Sequence, residues 1–217
     1  ATAILLPLNR VLEKLAYKII PDTAQVEKVS ELDDRLLATP AIALECAHNL
    51  TFEMAKIATD ALRSSIECLG TYDKAKAETI REAEDKTDHL EDVIGSYLVK
   101  LSTKQLNENE GAMASMLLKA IGDFERISDH AVNILESAEE MREKGIAFSD
   151  GAKAELDALC SATEEIITIS YSAFVENNAE QANLVEPLEQ VIDRMKELLR
   201  TRHIDRLRVG NCGIEAG

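Results

Sequence analysis

Tryptophan is absent from the 217 residues, aromatic side chains make up 4%, and there are 9 Gly and 4 Pro. That argues against a many-stranded β fold, which draws on aromatic and β-branched runs and on frequent turn residues. Basic residues are in deficit: 24 Lys and Arg face 40 Asp and Glu, a formal net charge of −16. A surface this negative repels phosphate backbones, so no nucleic-acid partner is expected and cations suit it better. No run reaches the roughly 18–20 apolar residues that span a bilayer. The four cysteines, Cys46, Cys68, Cys160 and Cys212, lie too far apart for a zinc ribbon or a redox pair. They read as reduced thiols in a cytoplasmic setting.

What is present is helical. Apolar residues make up 46% of the chain, enough for a sizeable core. Periodicity near 3.6 runs almost throughout. Leu5, Leu8, Val11, Leu12, Leu15 and Ile19 form one stripe over residues 4–20, ended by Pro21. A polar connector follows to about Ala38. Thr39 and Pro40 read as an N-cap and first helical position, and Gly70 closes the helix they start. A second helix begins at Thr71–Asp73 and continues to about Leu101. After a polar loop, a third runs from about Gly111 to Lys144 and stops at Gly145. A fourth follows from Phe148 to about Asn178, and a fifth spans about Ala179 to Leu207.

Long helices with short links predict an all-α bundle, and the bundle repeats. Shifting the chain by 105 residues lays Ile80 on Val185, Ala83 on Leu188, Leu90 on Met195 and Ile94 on Leu199. The expected organisation is an N-terminal helix and connector over 1–38, a three-helix repeat over 39–147, and an incomplete repeat over 148–217 lacking its last helix. The groove so left is expected to be covered by the residue 4–20 helix or by a second copy of the chain, a homo-oligomer.

Three Glu-x-x-x-Asp pairs carry the candidate chemistry: Glu84/Asp88, Glu125/Asp129 and Glu189/Asp193. At this spacing two carboxylates share a helix face one turn apart and repel each other. A hard cation between them reverses that penalty. In a chain this acidic, chance supplies about two such pairs, and a single pair reads most simply as a solvated face. Position is the stronger signal. Each pair lies roughly 80–150° to the same side of its helix's apolar stripe, so those of the second and third helices converge if these helices are neighbours. His130 follows Asp129 and reads as a partner to the cluster or as an interface histidine. His48, His89 and His203 read as structural, and Met54, Met113, Met116 and Met195 as core. No phosphate loop, catalytic triad or nucleophile environment is present, so no enzyme is expected. A ferritin-like di-iron carboxylate protein is the alternative, but it would want two Glu-x-x-His motifs, and that spacing occurs once, at Glu45/His48.

Phe124-Glu125-Arg126-Ile127-Ser128-Asp129-His130-Ala131-Val132-Asn133-Ile134 resembles the third-helix signature of the PhoU family. Glu84/Asp88 and Glu189/Asp193 resemble that family's second-helix signature in each of two repeats. The resemblance covers about residues 40–210 and implies tandem three-helix bundles. It also implies metal ions, iron, zinc or another divalent cation, held in clusters by these carboxylates. Glu84, Asp88, Glu125 and Asp129 then carry over as ligands, and Glu189 and Asp193 as half a site. Leu101-Ser102-Thr103-Lys104-Gln105-Leu106 departs from the stretch found in free-standing regulators of the family. With Ile204-Asp205-Arg206-Leu207 and the apolar start, it is more similar to the cytoplasmic PhoU-like domain of bacterial Na/phosphate cotransporters. That implies a phosphate transporter membrane domain, or its machinery, as partner, and a place at the inner face of the plasma membrane. A free-standing phosphate-signalling regulator is the alternative within the family.

Overall fold

The computed structural model describes residues 32–210, 212 and 213, and among these there is no β-strand. The helices are α1 (Pro40–Gly70), α2 (Lys74–Ser102), α3 (Glu108–Lys144), α4 (Asp150–Val175), the single turn α5 (Ala179–Ala182) and α6 (Val185–Arg208). The stripe at residues 4–20 lies outside the described residues. Three local departures from the sequence reading have physical causes. The polar connector contains a 3₁₀ turn at Asp34–Ala38 that buries Leu37 and is capped by Asp33. α3 starts earlier than its apolar period suggests, because Asn107 and Glu110 form a reciprocal capping box. The fifth helix is not continuous: Asn183 and Leu184 separate α5 from α6. Pro187 explains the break, since a proline inside a helix clashes with the carbonyl four residues earlier, here that of Asn183.

α1, α2 and α3 form an up-down-up bundle whose core falls into two clusters. One gathers Leu44, Met54, Leu90, Ile94, Leu98, Leu117 and Phe124; the other gathers Leu62, Ile80, Ala131 and Leu135. Between them, in order along each helix, stand Thr59, Thr87 and Ser128, all buried. Thr59 and Thr87 donate to the carbonyls of Ala55 and Glu84, whereas the Ser128 hydroxyl has no hydrogen-bond partner. The bundle therefore has a weakly polar waist. At its far end Arg81 and Tyr72 both engage the Glu139 carboxylate, and Arg142 stacks on the Tyr72 ring.

α4 and α6 pack on each other and are joined by Glu155, whose carboxylate accepts from both Arg202 and Arg206. α4 reaches the first bundle through an aromatic group. Phe174 meets Phe52 and Phe124 edge-on at 5.2 and 5.1 Å, and His48 lies 4.0 Å from Phe52. Burial lowers the pKa of His48, in keeping with a structural imidazole. Among the described residues, no helix is long and apolar enough to cross a membrane. Met54 is core as expected, but Met116 is 44% exposed. It lines a groove of about 1080 Å³ between α3 and the start of α6, with Met113, Phe174 and Val185.

Candidate metal centre

Two glycines stand where α2 and α3 meet, each with room for a methyl group in ordinary contact. A methyl group added at Gly95 would meet Ile121 at 3.5 Å, and one added at Gly122 would meet the Glu91 carboxylate at 3.4 Å. The helices run antiparallel here, so Glu84 and Asp88 come opposite Asp129 and Glu125. The polar waist lies behind them: Thr87 is flanked by Glu84 and Asp88 on α2, and Ser128 by Glu125 and Asp129 on α3. Glu84, Glu125 and Asp129 are half-buried and Asp88 is exposed, so the group lies at the seam and open to water.

The electrostatics follow from this placement. The Glu84 carboxyl is pushed above its ordinary range by burial, then by the charges of Asp85, Asp129 and Asp88. Glu125 is pushed up by burial, then by Asp129, Glu91 and Asp88. Each is thus influenced by carboxylates on the opposite helix, which isolated i,i+4 pairs on solvated faces would not produce. Among the described residues, no group of three or more His, Cys, Asp or Glu side chains stands close enough together to hold an ion. The donor chemistry nevertheless fits a hard divalent cation, because every group at the seam is a carboxylate and their mutual repulsion is what such an ion relieves.

Glu91 is the member that pair-spacing overlooks. It lies seven residues after Glu84, two turns along the same face, and rests against Gly122. A search for Glu-x-x-x-Asp-x-x-Glu would have found it. The second repeat differs at this position. Glu189 and Asp193 are exposed, and the residue equivalent to Glu91 is Lys196, which binds the Asp193 carboxylate at 2.7 Å. One carboxylate of that pair, Asp193, is thus neutralised on its own helix. His130 is exposed.

The chain is thus an all-helical bundle protein with a carboxylate-lined seam between two helices of its first repeat. Residues 51–138, which hold both halves of that seam, match the PhoU domain. A curated relative, the phosphate-specific transport system accessory protein PhoU homolog 1 of Thermotoga maritima, is 27% identical over 169 residues, covering 75% of this chain and 70% of the relative. No solved structure matches.

Proposed function

We propose that this protein is a non-enzymatic regulatory module of phosphate transport that binds divalent metal at the α2–α3 seam. Glu84, Asp88, Glu125 and Asp129 are the ligands, with Glu91 beside them. The observation that carries the metal reading is the opposition of the two pairs: besides burial, the charge of Asp129 raises Glu84 across the seam, and those of Glu91 and Asp88 raise Glu125. The phosphate reading rests on the domain match and on what the relative is named for. When bound, the metal supplies positive charge that joins two helices which otherwise repel at this level. The protein's own contribution is to hold the carboxylates in register through the packing of α2 on α3 and the caps of both helices.

Attachment to the membrane part of a Na/phosphate cotransporter, at the inner face of the membrane, is the reading favoured by the sequence of the α2–α3 loop and of the Ile204–Leu207 region. The relative is an accessory protein, which favours a separate regulator instead. Metal analysis of protein purified without chelator tests the core of the proposal. Bound metal is expected in the wild type and in Glu189→Gln/Asp193→Asn, and is lost in Glu125→Gln/Asp129→Asn. Equal content in all three overturns it.

A further inference from the structure

Five polar residues are buried among the described residues: Thr51, Thr59, Ser65, Thr87 and Ser128. Four of them donate their hydroxyl to a carbonyl of their own helix three or four residues back, at Ala47, Ala55, Leu62 and Glu84. That is a common way for a helical Ser or Thr to satisfy itself. Ser128 does not follow them: it is fully buried, and its Oγ has no hydrogen-bond partner. A buried hydroxyl left unpaired is costly, so its position calls for an acceptor.

Its place in the sequence points to the acceptor. The two opposed pairs share one pattern, Glu84-Asp85-Lys86-Thr87-Asp88 on α2 and Glu125-Arg126-Ile127-Ser128-Asp129 on α3, each with a buried hydroxyl residue between its carboxylates. Glu125 and Ser128, three residues apart, are neighbours on the helix surface. The third pair has Ile192 at this position, and both its carboxylates are exposed. The hydroxyl thus accompanies the carboxylates that meet across a seam and is missing from the pair that does not. An ionised carboxylate offers only acceptors, so a partner on its inner side must donate. Thr87 already gives its proton to the Glu84 carbonyl; of the two hydroxyls, the Ser128 one is still to be given. We propose that Ser128 is a positioning residue of the α2–α3 seam: its hydroxyl donates to the inner carboxylate oxygen of Glu125 and leaves the outer one for a divalent cation. This inference rests on the metal reading of the seam. A ligating carboxylate that is itself hydrogen-bonded is held in direction, and loss of such a partner typically weakens metal binding 10- to 100-fold.

The test titrates the full chain with Mn²⁺ and with Zn²⁺ by calorimetry and follows thermal unfolding of the same protein without metal. Ser128→Ala removes the hydroxyl and little else. It is expected to weaken binding about tenfold or more. In the absence of metal it is expected to raise Tm by about 2–4 °C, because a costly unpaired group is gone. A serine with a merely structural role would move stability and leave affinity where it was. Ser65→Ala removes a buried hydroxyl already bonded to its own helix, at the Leu62 carbonyl, and is expected to leave affinity unchanged. Unchanged affinity in Ser128→Ala, with the wild type binding, overturns this inference and leaves the metal reading of the seam standing. Equal weakening in Ser65→Ala overturns it as well, as does weaker binding in Ser128→Ala accompanied by a lower Tm. A wild type that binds neither ion overturns the metal reading and this inference together.

Discussion

The α1–α3 bundle and the α4–α6 segment differ in what they bury and in how they treat their carboxylates. In the first, Ile80, Leu90, Ile94 and Leu98 on α2 are essentially inaccessible, whereas α6 has no buried residue at all. In the first, Glu84, Asp88 and Glu91 form an uncompensated acidic face turned toward α3. In the second, Lys196 replaces Glu91 and neutralises Asp193. In the first, α3 completes the core and brings a second set of carboxylates to the seam. In the second, a local ion pair offsets one of the two carboxylates.

The comparison is tested most strongly in the core. Ile94→Ala should cost about 2–5 kcal/mol in urea unfolding, as expected for a fully buried aliphatic. Its repeat counterpart Leu199→Ala, half-buried on α6, should cost less than about 1.5 kcal/mol. Equal costs would show that the second repeat is as tightly packed as the first. Next comes Glu91→Lys, which gives the first repeat the charge pattern of the second. Wild-type protein at a metal concentration about a hundredfold above Kd should gain about 2.7 kcal/mol, read as a rise of about 5–10 °C in Tm. The variant should lose at least half of that rise, and an unchanged rise would remove Glu91 from the seam's function.

The smallest effect concerns protonation in metal-free protein. Glu84 and Glu125 are raised, so the folded state holds their protons more tightly than the unfolded chain does. Their contribution is fully present below the ordinary carboxyl value of 4.5 and is lost as pH rises through the raised values. Glu125→Gln should therefore stabilise metal-free protein by about 0.2–0.5 kcal/mol at neutral pH, a gain that disappears in acid. Glu139 has the opposite sign: Arg81, with Tyr72, holds its carboxyl below the ordinary range. Its contribution is present above 4.5 and is lost as pH falls through the lowered value. Glu139→Gln should accordingly lower stability at neutral pH.

Periodicity, caps and composition were sufficient for the helices, because those features are set by spacing within a few residues: Pro40 at a helix start, Gly145 in the left-handed region at the end of α3, Glu-x-x-x-Asp one turn apart. Two short-range signals were also in the chain but are easily passed over, the Asn107/Glu110 capping box and the helix break imposed by Pro187. Which carboxylates face one another was decided only by packing. The register in which α2 meets α3 places Glu91 against α3 and the Thr87–Ser128 waist behind the acidic seam. The exposure of Leu184, Val191 and Leu198 was likewise a tertiary outcome. A helical period marks an apolar side of a helix but carries no information about which part of that side a neighbour reaches, since that depends on contacts between residues distant in the chain.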